Sequence, residues 1–241
     1  MISSRRFKPG LVPTLVTLVL LPIFIRLGYW QLDRADQKRV IQTNYAQRSD
    51  LPSFRLESRV RATDELEYRR VFVKGTFDSK HQILIDNKVH NGRVGYYVIT
   101  PLKMTSSNQY VLINRGWVPL GVSRSELPKI DVTDRHVTIH GVLVKAKRDI
   151  VMISDTNRDT TGWPARMQWL DVKEFQKDTK YSVYPMAILM DPDAPHGYAR
   201  EWGKANLDPD KNTSYAMQWF SFAVLLLVIY FVVNFKKKIE E

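Results

Sequence analysis

The chain has 241 residues, of which 44% are hydrophobic and 25% are charged, and its formal net charge is +11. This length fits one domain with appendages, and the hydrophobic content excludes a disordered chain. The chain contains no cysteine, which excludes disulfides, iron–sulfur clusters and cysteine nucleophiles. Its apolar residues are concentrated at the two ends, which the mildly negative mean hydropathy of the whole chain conceals.

The first apolar run extends from Pro9 to Ile25 without a charged residue. If the helix continues through Arg26 to Trp30, it reaches the ~20 residues that a membrane-spanning helix needs. Arg26 is tolerated near the end of such a helix, because its long side chain can snorkel to the interface. The alternative is a secretory signal sequence, since residues 1–8 are basic. No small-residue cleavage site follows the run, so we predict a retained transmembrane helix over residues 9–30.

The second apolar run is uncharged throughout and predicts a transmembrane helix over residues 212–235. Basic tails flank the two spans, at residues 1–8 and 236–241, and the positive-inside rule places both on the cytoplasmic or matrix side. Residues 31–211 then form an extracytoplasmic domain. The position of this basic domain excludes nucleic acid as a partner and suits a domain close to anionic lipid.

Alternation of apolar and polar residues dominates the sequence between the two spans. It predicts strands at residues 70–77, 82–86, 94–100, 110–114, 137–145, 150–154 and 183–190. The pair Asn91–Gly92 indicates a tight hairpin. We expect the first span to continue as a polar helix through Gln47, and short helices near residues 62–66 and after Asp171, where a capping box begins.

These elements predict an α+β membrane protein. Two transmembrane helices at the termini flank an extracytoplasmic β-rich domain, which is barrel- or sandwich-like and carries one or two short helices.

The histidines offer no recognisable metal or catalytic site. His136 and His140 have a spacing that suits a metal on a helix, but in a strand they lie ~13 Å apart. His81 and His90 bracket a strand and are predicted as turn residues, and His196 lies in the loop before the second span. The common hydrolase, P-loop and dinucleotide motifs are absent. We therefore predict neither an enzyme nor a metal site.

Aromatic and polar residues border both spans. Trp30, Gln31 and Arg34 follow the first span, whereas Tyr215 and Trp219 begin the second. If the two helices pack together, we expect these aromatics and Arg34 to meet at one interface. Two interpretations stay open, namely an ordinary aromatic belt and a site for a flat amphiphile or a partner helix.

Four motifs occur in a recognisable order. They are Gly28-Tyr-Trp-Gln-Leu-Asp-Arg34, Val71-Phe-Val-Lys-Gly-Thr-Phe-Asp78, Val111-Leu-Ile-Asn-Arg-Gly-Trp-Val-Pro119 and Tyr215-Ala-Met-Gln-Trp-Phe220. Together they resemble the Surfeit locus protein 1 family, assembly factors of haem-copper cytochrome c oxidase. The resemblance implies a non-enzymatic protein of the bacterial or mitochondrial inner membrane that assists haem a insertion into subunit I. The implied partners are subunit I, haem a delivery proteins and the lipid bilayer.

The resemblance also bears on the cofactor. Some bacterial members are thought to bind haem a, and the family pattern has a histidine shortly before the Tyr-Ala pair. Asn212 stands in that place here, and an amide is a poorer axial ligand than imidazole. This departure argues against direct ligation of haem a. The alternative function is a membrane-anchored binding module for haem or a lipid-like amphiphile, with the aromatic interface as its pocket.

The Asn-Arg-Gly-Trp motif has two interpretations. In the structural one, which we favour, the motif is a turn in which Gly116 permits a bend, Trp117 packs under the sheet and Arg115 pairs with a nearby carboxylate. In the functional one, Arg115 and Trp117 form an exposed pair at a protein interface. The candidate partner- or haem-proximal residues are thus Trp30, Gln31, Arg34, Arg115, Trp117, Tyr215 and Trp219.

Overall fold

The computed structural model describes residues 5–121, 126–132, 136–146, 157–158, 162–202 and 208–237. The chain divides into two compact units. Residues 1–43 and 203–241 form one, called here the helix unit, and residues 44–202 form the other, called here the barrel unit.

Two long helices make up most of the helix unit. Helix α1 (Leu11–Ser49) continues from the first apolar run to the end of the polar extension, as predicted, and α3 (Pro209–Asn234) contains the second apolar run. Both are long and apolar enough to cross a membrane. A two-stranded antiparallel ribbon, β1 (Arg5–Phe7) with β10 (Phe235–Lys237), joins their ends.

Small residues allow the two helices to approach closely. Gly28 is buried, and a Cβ added there would lie 2.5 Å from Cε1 of Phe220. One turn or more away, the Phe24 ring lies 6.0 Å from Trp219, and Thr14 Oγ1 lies 3.2 Å from Tyr230 OH. Since residues early in α1 meet residues late in α3, the helices run antiparallel. Close packing through small side chains is the usual basis of helix association in lipid.

The barrel unit contains most of the strands and one α-helix. Its elements are β2 (Phe54–Arg55), β3 (Arg70–Phe77), β4 (Ile83–His90), β5 (Arg93–Met104), β6 (Tyr110–Pro119), β7 (His136–Lys145), β8 (Ala165–Met167), α2 (Val172–Thr179) and β9 (Val183–Met190). Asp171 caps α2 by accepting hydrogen bonds from two backbone amides, as its capping-box pattern predicts.

Five strands close into a barrel. The strand order is β2-β3-β7-β9-β6-β5-β4-β8, and β3 also pairs with β5, so that β3, β7, β9, β6 and β5 form a ring. Buried residues of every strand in the ring fill the interior, among them Val73, Leu102, Ile113, Leu143 and Ile188. A second apolar cluster lies around Phe175 of α2. The predicted fold class is confirmed.

The predicted strands differ from the observed strands mainly in length. The strands predicted at 70–77, 137–145 and 183–190 agree closely with β3, β7 and β9, and the hairpin at Asn91–Gly92 joins β4 to β5. Strands β4, β5 and β6 continue several residues beyond their predicted ends. The strand predicted at 150–154 lies outside the described residues.

Tyr184 lies in the barrel interior with only 2% of its surface exposed, and its hydroxyl has no hydrogen-bond partner among the described residues. Tyr184→Phe should therefore be neutral or should raise the unfolding free energy by up to about 1 kcal/mol. Tyr181→Phe is the matched control, because the Tyr181 hydroxyl donates to Asp78 at 3.0 Å, and this change should destabilise the unit. Thermal unfolding of the two variants measures the difference. Equal losses of stability would contradict an unpaired hydroxyl at Tyr184.

Candidate functional site

A polar junction joins the two long helices near the start of α3. The side-chain amide of Asn212 donates through Nδ2 to Gln31 Oε1 at 2.6 Å, and its Oδ1 accepts from Lys38 Nζ at 2.7 Å. Gln31 and Lys38 are two helical turns apart on α1 and therefore share one face. Lys38 also donates to the Asp208 carbonyl at 3.2 Å. Both ends of the Asn212 amide are thus engaged across the helix contact.

The aromatic residues beside the spans divide into two groups. Trp219 packs at the helix contact against Phe24, whereas Trp30 and Tyr215 are 49% and 45% exposed. Arg34 is exposed and lies with its guanidinium carbon 6.0 Å from the Trp30 ring centroid, a cation–π contact. The structure therefore brings Gln31 and Trp219 to the helix contact. Trp30, Arg34 and Tyr215 are largely exposed, and the meeting of all these residues at one interface stays a prediction.

Arg115 and Gly116 lie in a β-bulge inside β6, so the predicted turn at this motif is wrong. The pairing of β5 with β6 is shifted between Tyr97 and Ile99, and Gly116 has a φ of +118°. The backbone here can take this conformation because glycine lacks a Cβ, which would lie 2.7 Å from the Ala199 carbonyl oxygen. The bulge turns the Arg115 side chain into the protein, where it is 3% exposed.

The Arg115 guanidinium connects three parts of the barrel unit. Nε donates to the His196 carbonyl at 2.8 Å, Nη2 to the Asp131 carbonyl at 2.8 Å and Nη1 to Gln82 Oε1 at 3.3 Å. Burial lowers the pKa of Arg115 from its ordinary value. Since these acceptors are neutral oxygens, the predicted pairing with a carboxylate is replaced by a set of carbonyl and amide contacts.

Trp117 is 7% exposed and packs under the β4–β5 hairpin. Its indole Nε1 donates to the Lys88 carbonyl at 2.8 Å, and its ring lies 5.1 Å from the His90 ring. The burial of both Arg115 and Trp117 contradicts an exposed pair at a protein interface and supports their structural interpretation.

A cluster that the sequence analysis missed lies beside β4. His81 Nδ1 is 2.6 Å from Asp78 Oδ2, and Tyr181 OH donates to the same oxygen at 3.0 Å. Burial acts to raise the pKa of Asp78, but hydrogen bonds from His81, the Lys80 amide and Tyr181 outweigh it, and the pKa lies below its ordinary value. The Asp-x-x-His spacing was a usable signal for the pair, whereas Tyr181 is far away in sequence. Among the described residues no three acidic or histidine side chains gather as metal ligands.

The sequence of the chain is similar to those of known proteins. A model of the SURF1 family matches residues 18–224, which include the whole barrel unit and parts of both long helices. The chain belongs to the SURF1 family. The SURF1 resemblance drawn from the four motifs is therefore confirmed.

Individual relatives are similar to this chain over most or part of its length. A SURF1-like protein of Rickettsia felis is 26% identical over 239 residues, covering 90% of this chain and 95% of that protein. A SURF1-like protein of Monosiga brevicollis is also 26% identical, over 85% of this chain and 80% of its own length. Surfeit locus protein 1 of Arabidopsis thaliana is 32% identical over 105 residues.

Proposed function

We propose that this chain is a non-enzymatic, membrane-anchored assembly factor for haem-copper cytochrome c oxidase, which acts on subunit I at the stage of haem a insertion. Membership of the SURF1 family supports the oxidase as the target. The observation that carries the mechanism is the antiparallel helix pair, which is joined internally by Asn212 and Gln31 and exposes Trp30 and Tyr215 on its outside.

In this proposal the helix pair docks against nascent subunit I in the plane of the membrane. Because the polar junction holds the pair together before docking, little conformational entropy is lost on binding. Exposed aromatic side chains supply large, rigid contact areas to a helical partner. The proposed location is the bacterial or mitochondrial inner membrane, with both termini cytoplasmic or in the matrix and the barrel unit on the opposite side. Haem a delivery proteins are further proposed partners.

The residues at the junction do not fit direct ligation of haem a. The resemblance places a histidine where Asn212 stands, and both polar atoms of the Asn212 side chain are already hydrogen-bonded to Gln31 and Lys38. Freeing the amide would break two contacts and would offer iron a poor axial ligand. We therefore propose that the chain acts on subunit I without holding the haem iron through Asn212. A haem-binding module, the alternative function, would need another ligand.

The docking mechanism predicts that Trp30→Ala with Tyr215→Ala lowers the amount of assembled oxidase by about tenfold, since two aromatic anchors of an interface are removed. The measurement is the haem a absorbance of membranes, normalised to the amount of this chain. The matched control replaces two apolar residues of the same helices that are more exposed than Trp30 and Tyr215, Leu18→Ala with Val228→Ala, and should retain most of the oxidase. Equal oxidase in the parent and the aromatic variant would contradict docking through this face.

A further inference from the structure

A single arginine interrupts the apolar surface of the helix unit. In the two apolar runs, counted from Pro9 to Trp30 and from Asn212 to Phe235, Arg26 is the one charged residue. Its side chain is exposed, and no other residue that the structure describes forms an ion pair, a hydrogen bond or a cation–π contact with it. A guanidinium keeps its charge in proteins, and an unpaired charge is costly within a hydrocarbon layer. The helix unit therefore presents an unsatisfied cation to its surroundings.

The position of Arg26 on α1 directs its side chain away from α3. Phe24 packs against Trp219 of α3, and Gly28 lies in close contact with the same helix. Arg26 is two residues from each of these contact positions, which corresponds to a rotation of about 200° around the helix axis. It therefore lies on the opposite face. Trp30, four residues further along, is exposed on that face as well, so Arg26 belongs to the surface through which the helix pair is proposed to dock.

The direction of helical side chains disfavours a contact between Arg26 and lipid phosphates. In an α-helix the Cα–Cβ bonds tilt toward the N-terminus. Arg26 lies near the C-terminal end of the apolar part of α1, so this tilt points its side chain toward the middle of the span. The nearer interface lies in the other direction, beside Tyr29 and Trp30. To reach phosphates beyond these aromatic residues, the arginine side chain would have to turn back along the helix.

We propose that Arg26 is the docking contact for a partner transmembrane helix that carries a carboxylate, from aspartate or glutamate, at the same depth. This inference rests on the membrane anchoring and the docking face of the proposed function. A carboxylate supplies the complementary charge and accepts two parallel hydrogen bonds from a guanidinium. Because charges within an apolar layer are little screened, one such pair selects the partner helix and fixes its depth. Leu15 and Val19, exposed on the same face of α1, supply apolar contacts to that helix.

The full chain in phosphatidylcholine vesicles, mixed with synthetic transmembrane peptides, tests the proposed pair. Since the chain contains no cysteine, a donor fluorophore can be attached at Thr43→Cys, an exposed position of α1 beyond the apolar run. The peptides consist of leucine and alanine, carry an acceptor fluorophore and have either glutamate or leucine at the depth of Arg26. We expect energy transfer to show about tenfold tighter binding of the glutamate peptide, which is within the range of polar contacts between model transmembrane helices.

Variants of the chain identify the cation that produces this preference. Arg26→Leu should abolish it, whereas Arg26→Lys keeps the charge without the forked donor geometry and should retain part of it. The matched control is Gln218→Leu, which removes another exposed polar side chain at a similar depth, next to the residue of α3 that contacts Phe24. This control should keep the tenfold preference. Circular dichroism reports whether each variant retains its helices.

Equal binding of the two peptides by the parent chain would overturn the proposal, as would an unchanged preference in Arg26→Leu. A solid-state NMR contact between the Arg26 guanidinium carbon and lipid phosphorus that persists when the glutamate peptide is added would assign Arg26 to the headgroups and would also overturn it. The role in oxidase assembly is tested separately, because the haem a absorbance of membranes does not depend on these peptides.

Discussion

Arg115→Leu should lower the unfolding free energy of the barrel unit by about 3 kcal/mol, because it removes the two charged hydrogen bonds that the buried guanidinium donates to the carbonyl oxygens of Asp131 and His196. Leucine cannot replace these bonds, and the segments around Asp131 and His196 lose their common attachment to β6. At about 2–4 °C per kcal/mol for a unit of this size, the thermal midpoint should fall by roughly 6–12 °C. Thermal unfolding of the full chain in detergent, followed by tryptophan fluorescence, measures the shift.

Two controls separate the role of Arg115 from a general effect of losing an arginine. Arg59→Leu makes the same change at a side chain that is 90% exposed and should leave the midpoint nearly unchanged. Arg115→Lys keeps the charge but loses the forked donor geometry, so it should recover only part of the stability. Equal midpoints for Arg115→Leu and Arg59→Leu would show that the buried guanidinium does not hold these segments.

Gly75→Val should prevent the barrel from closing. Gly75 pairs with Met104 of β5 and with Val137 of β7, so it lies where β3 completes the ring of strands. A Cβ at this position would lie 2.2 Å from the Lys103 carbonyl oxygen, and a backbone oxygen cannot move aside without breaking the strand pairing. The unfolding free energy of the barrel unit should fall by more than about 3 kcal/mol, which is within the range of severe overpacking and backbone disruption.

Limited proteolysis of the full chain measures this effect directly, because an open barrel exposes cleavable strands. Gly92→Asn is the matched control. No atom lies within 4 Å of a Cβ at Gly92, and asparagine tolerates its φ of +74°, so this variant should resist protease as the parent does. If the Gly75→Val chain resists protease as the parent does, the close approach of β3 to β5 at Gly75 is not needed to close the barrel.

The strands that the sequence predicts well are those with one buried and one partly exposed face. In β3 the buried residues alternate, at Val71, Val73, Gly75 and Phe77, and the sequence shows this period directly. By contrast, β6 is buried from Val111 to Val118. A strand that is buried on both faces shows no alternation of apolar and polar residues. The second half of β6 could therefore not be recognised from the sequence, and the bulge at Gly116 was interpreted as a turn.

Residues of the candidate site could be predicted from the sequence where they lie in or beside a recognisable motif. The motif around Trp30 lies on α1 and the motif that begins at Tyr215 lies on α3, so both are on the helices that pack together, and Gln31 was among the candidates. The partner of Gln31 is Asn212, which is 181 residues away and could be inferred only by assuming that the helices pack. The acceptors of Arg115 are likewise backbone carbonyls of distant loops, which no side-chain pattern reveals.

The proposed role of this chain is in the maturation of cytochrome c oxidase. A reduced-minus-oxidised difference spectrum of membranes from a strain lacking this chain, recorded beside the parent, tests it most directly. We expect selective loss of the haem a signal, with the b- and c-type haem signals intact. An unchanged haem a signal, under conditions in which the parent makes this oxidase and no second copy of the gene is present, would contradict the account.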